Sequence, residues 1–114
     1  MNTRFNGSTV KRTLFIDFNL YADDDPEFKQ ELIELIIENL EELQQSYQTS
    51  IEQTELSFFL KACHKVKTTL VMLDDQELNA LVEDLKNGEA NGLRISLLKE
   101  LCSAIIVSLW AVKK

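Results

Sequence analysis

Residues 23–48 read DDDPEFKQELIELIIENLEELQQSYQ, and this stretch decides the fold class. Asp23, Asp24 and Asp25 offer side-chain acceptors to the unpaired N–H groups of a helix start. Pro26 suits the first helical position, and Glu27 suits the positive end of the helix dipole. From there Phe28, Leu32, Leu35, Ile36, Leu40, Leu43 and Tyr47 recur at three and four residues, opposite Glu31, Glu34, Glu38, Glu41 and Glu42. The spacing predicts a long amphipathic helix over 26–48. Its glutamates invite a carboxylate-metal reading, but di-iron bundles need Glu-x-x-His pairs. The only histidine, His64, has Lys61 at that spacing, so the glutamates read as a solvated face and no metal site is expected.

Upstream, residues 1–12 (MNTRFNGSTVKR) are polar and aperiodic, which predicts a flexible arm. Leu14, Phe15, Ile16, Phe18 and Leu20 form a short apolar cap segment, helical or extended. Downstream, Thr49 to Thr54 carries turn residues, with Ser50, Glu52 and Glu55 as start signals. Leu56, Phe59, Leu60, Cys63, Val66, Leu70 and Leu73 then mark a second helix by their period. Asp74 and Asp75 cap a third, carried by Leu78, Leu81, Val82 and Leu85 and closed by Lys86, Asn87 and Gly88. After a polar connector over 89–92, a fourth helix runs from Leu93 through Leu97, Leu98, Leu101, Ile105, Leu109 and Val112. Ile106, Val107 and Trp110 fall off its main stripe, so either the N-terminal cluster packs there or the helix supplies a homodimer contact. The expected architecture is all-α: an antiparallel up-down-up-down four-helix bundle over residues 13–114 with a short N-terminal cap.

Composition narrows the function classes. A chain of 114 residues with 45% hydrophobic content makes one domain with a core of its own. A net charge of −7 argues against nucleic acid, which requires Lys and Arg gathered on one face, and favours protein partners. Cys63 and Cys102 lie in apolar helical patterns without zinc or redox spacing and read as buried hydrophobes in a reducing compartment. Arg4, Asn6, Lys11 and Arg12 interrupt any signal-peptide run, and the apolar stretch 101–112 is short of a bilayer span of about 20 residues. The expected location is the cytoplasm, with no membrane contact.

Residues 58–73, FFLKACHKVKTTLVML, carry the candidate chemistry. Lys61, Lys65 and Lys67 all lie within three positions of His64 in a chain that is otherwise acidic. His64 falls about 100° around the helix from Cys63, at the edge of the apolar stripe, with Leu60, Lys61, Lys67 and Thr68 as its neighbours at three and four residues. A triad needs a separate nucleophile and an orienting carboxylate, and Cys63 points the wrong way to be a partner. Metal binding lacks second and third ligands. What survives is an imidazole acting alone as a phosphoryl acceptor, with cations to hold the arriving oxygens. Lys67 lies one turn along the same face, whereas Lys65 points about 100° away and adds only to the field.

The run Cys63-His64-Lys65-Val66-Lys67-Thr68-Thr69 resembles the His-x-hydrophobic-Lys-Gly-Ser motif of histidine-containing phosphotransfer (HPt) domains. Asp25-Pro26-Glu27-Phe28 followed by Glu31-Leu32-Ile33-Glu34-Leu35 is similar to the start of the helix preceding the active helix in that family, and the likeness extends from about Leu14 to Trp110. The resemblance implies that His64 accepts a phosphoryl group on its outer ring nitrogen from a receiver-domain aspartyl phosphate and passes it to another receiver. It implies that Lys67 stabilises the group and that the partners are response-regulator receivers or a hybrid histidine kinase, for which the half-apolar, half-basic surface of Leu60, Lys61, Lys65 and Thr68 is the expected docking site. The receiver holds the magnesium, so the chain would be a carrier without a cofactor of its own and not an enzyme. It departs from the motif at Thr68, where the family has glycine, and at Leu70, Val71 and Met72, where small residues are expected. The alternative implied by that departure is a bundle that binds partners without accepting phosphate.

Overall fold

The computed structural model describes residues 12–113, which are all-helical and contain no strand. The arm expected over 1–12 lies outside these residues except for Arg12. Six helices are formed where four were expected: α1 (Phe18–Ala22), α2 (Pro26–Gln53), α3 (Ser57–Lys65), α4 (Lys67–Leu73), α5 (Gln76–Lys86) and α6 (Ile95–Lys113). The count rises because part of the cap segment coils into α1 and because the second predicted helix breaks at Val66 into α3 and α4.

Helix α2 starts as its sequence dictates. The Asp25 carboxylate accepts hydrogen bonds from the N–H groups of Glu27 at 3.1 Å and Phe28 at 3.2 Å, with Pro26 at the first position. It ends five residues later than predicted, at Gln53, and is followed by Thr54 in the left-handed conformation (φ 53°). The residues expected to turn are helical because Ser50 has a better use inside. Its buried hydroxyl accepts the Phe59 N–H at 2.9 Å and so caps the first turn of α3, whose own N-cap, Leu56, has no acceptor to offer. The buried face of α2 is also displaced from the predicted stripe: Phe28 and Leu35 are 45% and 51% exposed, while Ile33 and Ile37 are buried. A helix packed on two sides needs a wider apolar stripe, and α2 lies against both α3 and α6.

The neighbours of α2 run antiparallel to it. Ser50, Glu42 and Asn39 meet Phe59, Lys65 and Thr69 in turn along α3 and α4. At the two ends of α6, Lys113 pairs with Glu34 at 2.9 Å, and the Asn91 N–H donates to the Tyr47 hydroxyl at 3.0 Å. Helix α5 closes the arrangement against α3 and α6. The core between them is sealed by Tyr47 and Phe59, whose rings meet edge to face at 4.9 Å, an arrangement worth about 1 kcal/mol beyond burial alone.

Asp75 caps α5 as predicted, accepting the Leu78 N–H at 3.0 Å. The far end of α5 closes without the left-handed residue expected there. Asn87 stays at φ −96° and donates its side-chain amide to the Glu83 carbonyl at 2.8 Å. Helix α6 begins at Ile95, so Leu93, where the fourth helix was expected to start, stands exposed before it; α6 buries Leu98, Cys102, Ile105 and Leu109 and leaves Leu97, Trp110 and Val112 exposed. By length and composition it could cross a membrane; here its buried stripe completes the core against α2. The N-terminal cluster joins the same core. Ile16 is buried in the core, Leu14 and Phe18 pack against it, and the Arg12 N–H donates to Ser108 Oγ at 2.6 Å.

Candidate functional site

Helix α3 holds its apolar side, Phe59 and Cys63, in the core and thereby turns His64 outward. The helix ends one residue later. Val66 is buried with φ −97° and ψ 13°, and its N–H still bonds the Ala62 carbonyl at 2.9 Å before α4 resumes at Lys67. Val66, Thr68 and Thr69 are β-branched and hold a helix weakly, which is why the break falls here. Thr69 turns inward and accepts a hydrogen bond from the Asn39 side-chain amide at 2.6 Å, fixing α4 to α2.

The result is a groove of about 540 Å³ between α3–α4 and α5, with Leu60, His64, Lys67, Leu70 and Val71 on one wall and Asn79, Val82, Glu83 and Lys86 on the other. Of the residues singled out from sequence, His64, Lys67 and Leu60 share it. His64 and Lys67 are exposed, and neither makes a hydrogen bond or ion pair among the described residues. Lys61 and Lys65 lie elsewhere, beside a shallow apolar hollow against α2 that Glu42, Thr49 and Phe58 also line. Lys65 Nζ is 3.1 Å from a carboxylate oxygen of Glu42, so its charge is answered locally. Thr68 is exposed, lines neither depression, and makes no hydrogen bond to the His64 carbonyl.

The wall supplied by α5 was not found from sequence. Asn79, Glu83 and Lys86 are distant from His64 in the chain, and their charge pattern reads as the solvated side and basic end of a short helix. Lys86 Nζ lies 3.3 Å from a Glu83 carboxylate oxygen. Both sit close enough to Cys63 to act on its thiol, in opposite senses, while burial dominates and pushes that thiol up to about 11. Burial likewise pushes Cys102 up to about 12. Neither cysteine therefore offers a thiolate at neutral pH, and among the described residues no three potential metal ligands converge. The groove presents one exposed imidazole, two ammonium groups and one carboxylate on an apolar floor.

Comparison with protein-family models, curated proteins and solved structures gives no match.

Proposed function

We propose that the chain is a histidine phosphocarrier: His64 takes a phosphoryl group from an aspartyl phosphate on a receiver domain and hands it to a second receiver. The observation that carries this reading is the exposed His64 on the wall of a groove that Lys67 also lines. In the step itself the lone pair of the outer imidazole nitrogen forms the P–N bond. The P–O bond to the receiver breaks, and the aspartate leaves as a carboxylate with that electron pair. The ring, briefly an imidazolium, releases the proton of its other nitrogen to solvent, and the reverse sequence discharges the group. Lys67 holds the phosphoryl oxygens, for which an ammonium point charge is suited. The antiparallel packing of α3–α4 and of α6 on α2 supports this reading, and Leu60 and Val71 give a receiver an apolar landing beside the histidine. Lys61, Lys65 and Thr68 belong to the same docking surface only if the receiver extends across α3.

A phosphorylated receiver mixed with the protein should leave acid-labile label on the wild-type chain and none on His64→Gln. No transfer from its own partner receiver would sink the proposal. The second reading, a helical module that binds without accepting phosphate, is favoured by Thr68, exposed where the motif has glycine. It expects His64→Ala to bind the receiver almost unchanged while Leu60→Ala weakens binding.

A further inference from the structure

Two cations line the groove from different helices, and only one of them is already engaged. Lys67, on α4, makes no ion pair among the described residues, whereas Lys86, on α5, is drawn to Glu83 one turn behind it at 3.3 Å. A pair of this type, exposed and three residues apart on a helix, is weak and easily exchanged. A phosphoryl group on His64 would bring close to two negative charges and three strong acceptor oxygens into the groove, a better partner for an ammonium than one carboxylate. Lys86 is half-buried and reaches that space by rotating its flexible side chain, while Glu83, exposed, can swing away from the incoming charge into water. Lys61 and Lys65 line the hollow on the α2 side of α3 and not this groove.

We propose that Lys86 is the second cation for the phosphoryl group on His64, resting on Glu83 while the histidine is bare and moving to the phosphoryl oxygens once it is loaded. Lys67 and Lys86 then clamp the group from opposite walls, and Glu83 sets the strength of the clamp by competing for Lys86. This inference rests on the reading of His64 as a phosphoacceptor. It adds a residue pair that the motif around His64 does not contain.

The test uses the full chain loaded with phosphoramidate, which gives up its phosphoryl group to the imidazole and leaves as ammonia. The second ionisation of the phosphoryl group is then followed by phosphorus NMR as a function of pH. A neighbouring cation favours the dianion, so Lys86→Gln should raise that pKa by about half a unit, the scale of one exposed charge pair. Glu83→Gln, which frees Lys86, should lower it. Opposite shifts in the two variants support the exchange, and a Lys86→Gln chain that takes no label while unfolding like wild type supports it as well. Label on all three chains with no shift in Lys86→Gln, or shifts of the same sign in both variants, overturns the role of Lys86 and leaves the phosphoacceptor reading standing. No label on the wild-type chain overturns both.

Discussion

Arg12 and Lys67 are both cations on a strongly acidic chain, and the fold treats them in opposite ways. Arg12 reaches across from the N-terminal segment to the corner between α4 and α5. There its guanidinium meets Asp75 through two hydrogen bonds, Nε to Oδ2 at 2.5 Å and a terminal nitrogen to Oδ1 at 2.9 Å, and Glu77 at 2.7 Å. Its own N–H is taken by Ser108, whose hydroxyl in turn donates to the Ala104 carbonyl at 3.0 Å. One residue thereby ties the start of α5 to α6. Lys67 has none of this; it stands exposed at the rim of the groove. The difference separates charge that holds the fold from charge left free to meet a ligand. A planar fork suits the first task and a mobile ammonium the second.

The largest expected effect comes from undoing the buried corner. Asp75 is only 3% exposed, so Arg12→Ala would leave a buried carboxylate without its cation. This should cost about 2 to 3 kcal/mol and lower the unfolding midpoint by roughly 10 °C in a thermal melt followed by circular dichroism. Because part of that cost is the stranded charge, the double variant Arg12→Met/Asp75→Asn should be more stable than Arg12→Ala alone. A single variant that melts like wild type would erase the distinction between the two cations.

Acid should expose the same corner with a smaller effect. Burial alone would raise the Asp75 carboxyl, but the hydrogen bonds from Arg12 and from the Leu78 N–H outweigh it and hold the group below the ordinary carboxylate range. A depressed folded-state value means that the carboxylate contributes stability above its unfolded-state pKa and loses that contribution as pH falls through the folded one. The stability gap between wild type and Asp75→Asn should therefore be constant above about pH 5 and shrink below about pH 4. Denaturant melts at a series of pH values would measure it, and a gap that widens in acid would contradict the pairing.

The smallest effect is expected at the groove. Lys67→Gln removes a charge with no partner among the described residues and should leave the unfolding midpoint within about 2 °C of wild type. A drop as large as that of Arg12→Ala would mean that Lys67 serves the fold after all.

How much of this could be read in the chain depends on how local its causes are. The starts of α2 and α5 were legible because Asp25-Pro26 and Asp75 act on N–H groups two or three residues away. The place of His64 at the edge of the apolar stripe was legible from the period, but its exposure was not, and Lys67 shares its groove although the break at Val66 falls between them. Ser50 was seen as a capping residue, but it caps from inside the preceding helix, across a turn that periodicity alone cannot place. Lys61 and Thr68 were placed beside His64 on the assumption of one unbroken helix, an assumption that the break at Val66 removes for Thr68. Arg12 read as part of a polar arm, because the carboxylates that claim it lie 63 and 65 residues away.

The sequence by itself determined the all-helical class, the polarity of each main helix and the single histidine set among lysines, since these follow from caps and from a period of 3.6 residues. Tertiary structure alone decided which lysines share a space with that histidine. Packing α5 against α3 brings Lys86 and Glu83 to the groove, and packing α2 against the other side of α3 draws Lys65 to Glu42. The physical reason is that a helix fixes the direction of a side chain, but the charge or cavity it meets there is supplied by another helix.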